Sequence, residues 1–351
     1  SSYDMPASSA LPPPRSGSLQ IGSLQVGFAA MLEQLDPREA VELSAYAEQH
    51  GFDGVMASDH FQPWLPQQGQ APFVWAVLAA IAARTKGDFG PGVTTPGYRM
   101  HPAAVAQASA TLAAMHPGRH WLGIGSGDAL SEHIVGQYWP EAPERINRMF
   151  EAIEIIKRLF ATAHTGRDTR FSGNHFTLES TRLWTAPETP PEILVATAGP
   201  LTARRAGRSA DGLITTNATP EKLAALLERF ATGAREAGKD PATMPRVIQW
   251  HVSVADTLAE AEASALEHWP NGAMRFNRAD IRHPQDFAHL ARTVRVEDFE
   301  NHVFISPDAA AHVAKLRELA RLGFSHVYVH HVGRDQRAFI DRFGAEVLPL
   351  V

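Results

Sequence analysis

What constrains this chain most is an alternation. From Leu24 onward, short β-type runs take turns with helical stretches. The runs Leu24–Ala30, Gly54–Ser58, Phe89–Thr95, His120–Gly125, Ile193–Ala196, Gly212–Thr216, Val247–Ala255 and His326–Val332 read as eight strands. Pro37–Gln49 carries apolar residues at helical spacing, with Gly51 just past its end, where a left-handed cap suits glycine. Val74–Ala83, Pro102–Met115, Leu201–Arg208, Pro220–Ala237, Ala309–Leu322 and Arg337–Val347 also read as helices. Strands that alternate with helices in this way build a parallel sheet, because a parallel pair needs a crossover long enough to hold a helix. Eight of them predict an α/β fold, a TIM (β/α)8 barrel, over residues 21–351 as a single domain. A doubly wound open sheet is the alternative. No G-x-G-x-x-G follows the first strand, which weakens it.

The rhythm breaks twice, predicting insertions after strands four and seven. Asp128–Pro191 holds one amphipathic helix, Glu144–Phe160, and then a polar stretch with no strong pattern. Thr257–Phe299 is helical in part. Residues 1–20 are rich in Ser and Pro and read as a flexible tail.

Composition removes several chemistries. The chain has no cysteine, so disulfides, thiolate nucleophiles, cysteine-ligated zinc and iron–sulfur clusters are out. No H-E-x-x-H occurs, and no catalytic metal is expected. A formal net charge of −6 advertises no basic face for nucleic acid. No apolar run approaches the ~18 residues of a membrane span.

In a barrel of this kind, chemistry collects where strands end and loops begin. Glu33 follows strand one. Strand two runs into Ser58-Asp59-His60-Phe61-Gln62-Pro63-Trp64, strand three into Gly92-Val93-Thr94-Thr95, and strand four into Gly125-Ser126-Gly127-Asp128. Strand five ends in Thr197-Ala198-Gly199-Pro200, strand six in Thr216-Asn217, and strand eight in His330-His331. Asp59-His60 alone could be a capping acid beside a surface imidazole. With an indole at Trp64, the pair also suits a general base over a bound ring. The Gly-Ser-Gly-Asp turn lets backbone N–H groups approach a ligand closely, though a G-x-G turn alone is weak evidence against a simple β-to-α turn. The Ala-Gly-Pro helix start suits an anion and is equally an ordinary turn.

The segment SDHFQPW (Ser58–Trp64) resembles the F420-dependent glucose-6-phosphate dehydrogenase family, within the luciferase-like superfamily. GSGDALSE (Gly125–Glu132), RRAGRSADG (Arg204–Gly212) and GRDQRAFIDRF (Gly333–Phe343) extend the likeness over nearly the whole chain after the tail. The resemblance implies coenzyme F420, a deazaflavin, as cofactor and hydride transfer at an alcohol carbon. It implies that Asp59 and a cis Gly92–Val93 peptide touch the ring, and that Ser126, Gly127 and Ser131 line the cofactor. Thr197, Ala198, Gly199 and Thr216 would hold its phosphate. His60 would take the hydroxyl proton, Trp64 would pack over the reacting centre, and Glu33 would orient substrate or His60.

Three departures from the family pattern stand out. The family's acid after the glycine turn is a glutamate, and here it is Asp128. Its three basic residues for the sugar phosphate align with Thr219, Arg278 and Asn301, so only Arg278 is left as a substrate-binding cation. The Ser/Pro-rich start is foreign to the sugar-phosphate enzymes. Together these resemble the exported mycobacterial branch that oxidises hydroxymycolic to ketomycolic acids. That likeness implies a small-molecule or lipid alcohol substrate, export to the cell envelope through a removed twin-arginine signal, and a homodimer. A flavin monooxygenase of the same superfamily, or a carrier that kept the barrel and lost chemistry, are the rivals.

Overall fold

A computed structural model describes residues 19–274 and 278–351. Strands β1 (Gln25–Ala30), β2 (Gly54–Ala57), β3 (Asp88–Pro91) and β4 (Trp121–Ile124) come first. An antiparallel hairpin, β5 (Thr169–Ser172) and β6 (Thr177–Thr181), stands apart from the main sheet. Then come β7 (Glu192–Ala196), β8 (Gly212–Thr216), β9 (Arg246–Ser253), the short β10 (Phe304–Ile305) and β11 (His326–His331). The main sheet runs β3-β2-β1-β11-β9-β8-β7-β4, with parallel pairing. Bridges Phe89–His120 and Thr94–Ile124 join β3 to β4 and close the ring. The fold is the parallel (β/α)8 barrel the alternation predicts.

Strand periodicity divides the core into two layers. Val26, Phe28, Ala30, Val55, Ala57, Ile248 and Trp250 face outward into the helical shell. Ala29, Met31, Met56, Leu194, Val247 and Tyr328 fill the barrel interior. The helices are α1 (Pro37–Gln49), α2 (Val74–Arg84), α3 (Pro102–Met115), α4 (Ala129–Glu132), α5 (Ala142–Thr162), α6 (Pro200–Ser209), α7 (Pro220–Glu236), α8 (Leu258–His268), α9 (Pro284–Ala291), α10 (Ala309–Leu322) and α11 (Gln336–Arg342). Capping explains several of their starts. Asp36, Asp128, Thr219, Thr257 and Asp308 each accept a first-turn N–H.

The N-terminal end of the barrel is a plugged floor. Tyr328 and Trp121, almost wholly buried, both donate hydrogen bonds to Asp88 Oδ1. The plug is wide enough that the neighbouring strand must carry glycine. A Cβ on Gly90 would sit 2.4 Å from the Trp121 side chain. Burial pushes the Asp88 carboxyl up, to about 6, against the pull of Tyr328 and Trp121.

Four readings change in detail. The patternless part of the first insertion is the β5–β6 hairpin, whose alternation is too brief and too exposed to register. The third strand stops at Pro91 rather than Thr95, while the Gly92–Val93 peptide after it is cis, as the resemblance implies. The closing helix is regular only to Arg342, after which Phe343–Val347 widens into a π turn. Most of the tail, residues 1–18, lies outside the described residues. Leu19, assigned to that tail, is buried, and its N–H donates to Glu192 Oε1 at the floor, 2.8 Å away.

Candidate active site

The opposite, C-terminal end is open. Two adjoining chambers of about 340 Å³ each lie across it. They share His60, Gly92, Gly127, Asp128, Thr216 and Gln249, which form the waist between them. The first chamber takes in Asp59, Val93, Ser126, Ser131, Thr197 and Ala198. The second takes in Trp64 and Arg278, with Asn217, His251, Trp269, Asn271 and His302.

His60 is the centre of the waist, and its side chain is only 14% exposed. Its Nε2 lies 3.5 Å from Glu33 Oε2, while Nδ1 lies 3.3 Å from Ser131 Oγ and 3.8 Å from Asp128 Oδ2. An acidic side chain thus stands at each ring nitrogen. Glu33 is wholly buried and held on two further sides. Ser58 Oγ donates to its Oε1, and Trp64 Nε1 donates to its Oε2 at 2.9 Å. The Trp64 ring meets the His60 ring edge-on at 4.9 Å and rests on Phe287 at 5.3 Å.

Asp128 has two duties. Its Oδ1 caps α4 by accepting from Ser131 N at 3.0 Å, while Oδ2 faces His60. A short side chain that caps its own helix is drawn back toward the backbone. The single methylene of Asp128 therefore ties the acid to α4.

Asp59 lines the first chamber, but its oxygens are also engaged. Thr94 Oγ1 donates to Oδ2 at 2.8 Å, and Arg99 Nη1 to Oδ1 at 3.2 Å. Arg99 continues to Glu132, with Nε 2.7 Å from Oε2. Burial raises the Glu132 carboxyl to about 7, against the pull of Arg99. Burial also works against the charge on Arg99, but Asp59 and Glu132 outweigh it, and the net shift is upward.

Other assignments land differently. The Gly199 N–H is spent on Thr197 Oγ1 at 3.0 Å and begins α6. Thr219 caps α7, and Asn301 sits in an exposed turn at φ 63°. Neither lines a chamber. Arg278 does, and burial lowers its pKa while Asp128 opposes that. His330 and His331, read as rim groups, are both buried. His331 turns outward to Asp335 and Phe339, and His330 is sealed by Gln34 and His251. Among the described residues, no three His, Asp or Glu side chains cluster as metal ligands.

Sequence reasoning missed Arg99, Glu132, His251 and Trp269, and placed Asn217 at a strand end without a role. For His251 a signal was present. Gln249 and His251 alternate with Ile248, Trp250 and Val252, which puts polar groups inside the barrel at the chemical end of a strand.

The model of the luciferase-like monooxygenase family matches residues 20–326. The F420-dependent glucose-6-phosphate dehydrogenase of Intrasporangium calvum is 38% identical over 333 residues, 93% of this chain and 98% of that protein. The chain belongs to the luciferase-like family, among its F420-dependent dehydrogenases. The glucose-6-phosphate dehydrogenase of Nocardia farcinica is 35% identical over 335 residues, covering 94% and 98%. Among solved structures, an F420-dependent secondary alcohol dehydrogenase in complex with an F420–acetone adduct superposes with a TM-score of 0.88. It is 30% identical, and the match covers 94% of this chain and 99% of that one.

This family member has a first chamber that suits a polar cofactor. The Thr216 hydroxyl is buried there with no partner among the described residues, a cost that a ligand acceptor or donor would remove. Gly127, at φ 89°, keeps the turn beneath it free of a side chain.

Proposed function

We propose that this chain is an F420-dependent alcohol dehydrogenase that oxidises a secondary alcohol on a lipid, of the hydroxymycolic class, to the ketone. The observation that carries the dehydrogenase reading is His60 at the waist between the chambers, with Glu33 and Asp128 at its two nitrogens. The deazaflavin, bound in the first chamber, supplies the hydride acceptor. Asp59, Val93, Ser126, Gly127, Thr197 and Thr216 would hold it there. His60 takes the hydroxyl proton from an alcohol in the second chamber. The imidazolium so formed has an acidic side chain at each ring nitrogen, Glu33 at Nε2 and Asp128 at Nδ1. Glu33, fixed by Ser58 and Trp64, sets the ring's position. Trp64, backed by Phe287, covers the alcohol carbon and excludes water. Orientation is the protein's main contribution.

The substrate reading is supported by what the second chamber holds. A phosphate dianion gains about 1.5–3 kcal/mol from each charge-assisted hydrogen bond. Of the three positions aligned with the family's phosphate clamp, Arg278 alone lines the chamber. Apolar side chains are exposed on the loops that follow β2 and β4: Phe61, Ile134, Val135 and Tyr138. They suit an acyl chain better than a sugar. Export to the envelope and a homodimer are proposed on the family resemblance.

Fluorescence titration with the deazaflavin and with FMN tests the cofactor. A hydroxymycolate, glucose 6-phosphate and a simple secondary alcohol are then offered in turn. Quenching of the oxidised deazaflavin by the hydroxymycolate, and far less by the sugar phosphate, is expected. Preferential FMN binding would sink the dehydrogenase reading, and efficient turnover of glucose 6-phosphate would sink the lipid one.

A further inference from the structure

We propose that His251 presents an unprotonated Nε2 to the substrate chamber, and that the enzyme thereby selects alcohols carrying a second hydroxyl or other hydrogen-bond donor. The inference rests on the dehydrogenase reading above and adds a specificity determinant to it.

The argument is a chain of hydrogen bonds with one consistent set of protons. It starts at a backbone carbonyl, Val332 O, which can only accept. The Gln34 group facing it at 2.9 Å must be the amide nitrogen. Gln34 Oε1 therefore faces His330, 2.8 Å from Nε2, and His330 must donate there. Burial pushes the His330 imidazole well below its usual range, and the ring is neutral. A neutral ring that donates from Nε2 has a bare Nδ1. That Nδ1 lies 2.8 Å from His251 Nδ1, so His251 must be the donor of this pair. Burial also holds His251 neutral, lowering it to about 3, with Arg278 and His302 adding to the effect. Its remaining nitrogen, Nε2, is then a lone-pair acceptor.

The ring is also fixed in place. Asn217 grips its backbone from both sides, accepting from His251 N at 2.9 Å and donating to His251 O at 3.1 Å. Trp269 lies along its face, with ring centroids 5.7 Å apart. His251 and His60 line the same chamber. An alcohol that gives its proton to His60 therefore shares that space with a fixed acceptor. A substrate donor there satisfies it, whereas an apolar chain leaves a desolvated nitrogen without a partner. Sites built to hydrogen-bond a substrate group reject analogues that lack it.

Two measurements test the proposal. Nitrogen NMR of histidine-labelled holoenzyme, with His251 assigned through H251F, reads the tautomer directly. The proton is expected on Nδ1, and a protonated Nε2 would overturn the proposal whatever the enzyme's substrate. The second compares a medium-chain secondary alcohol with diols of the same skeleton, hydroxyls adjacent or one carbon apart. The better diol should exceed the mono-ol in kcat/KM by about 5- to 100-fold. That ratio should fall toward one in H251F, with the change in KM rather than kcat. A ratio near one in the wild type, or one that survives H251F, would overturn the selection. If neither alcohol reduces the deazaflavin, the selection is overturned, while the dehydrogenase reading is judged by the hydroxymycolate and FMN titrations.

Discussion

The two ends of this barrel solve opposite problems with the same kinds of residue. At the floor, Asp88 receives hydrogen bonds from an indole and a phenol, and the three side chains fill the interior. At the mouth, Glu33 receives them from an indole and a serine, but there the cluster ends on His60, which stays open to a cavity. In both, an acid and a tryptophan satisfy one another. The floor closes its network on itself. The mouth leaves one member, the imidazole, with work to do. What separates a plug from a site is therefore the presence of space beside the network, not its polarity.

The largest expected effect breaks the mouth alone. His60→Ala should lower kcat/KM by about 10²–10⁴ if the imidazole is the base, with the melting temperature little moved. Steady-state deazaflavin reduction and thermal denaturation read the two. Next, Asp88→Ala at the floor should do the reverse. It strands the Tyr328 hydroxyl and the Trp121 N–H, each at about 1–3 kcal/mol. Chemical denaturation should show the loss, while turnover per folded molecule holds.

A subtler contrast lies in pH. Both Asp88 and Glu132 have folded pKa values above their ordinary ones, so the folded state holds a proton that the unfolded chain has released. Stability from each is present at low pH and lost as pH rises, between about 4 and about 6 for Asp88 and up to about 7 for Glu132. Asp88→Asn should flatten the melting-temperature profile in the lower window, and Glu132→Gln should flatten it through neutrality. The smallest effect is expected on the exposed outer surface of the helical shell. Arg84→Ala breaks an exposed pair with Glu42 and should leave both melting temperature and rate within error.

The barrel was legible because burial on both sides of each strand leaves continuous apolar runs that helices must punctuate. Gly212–Thr216 and Pro102–Met115 came out with their observed bounds. The β5–β6 hairpin did not, since its strands are short and half their positions or more are exposed. At the mouth, residues that stand immediately after strands, such as Asp59, His60 and Asp128, declare themselves by position. Arg99 lies beyond its strand in a loop, and only tertiary structure brings it between Asp59 and Glu132. His330 misled for the opposite reason. It sits at a strand end, but neighbours on β9 and after β1 cover it.

Leu19 carries a practical consequence. Because it is pinned beside Glu192, a tether attached directly at this residue would meet the closed pole of the cylinder. A tag used to tether the protein to a bead or sensor chip at that point would orient the molecule with its entrance toward the bulk liquid. Bulky amphiphiles could then reach the reacting centre without passing the support.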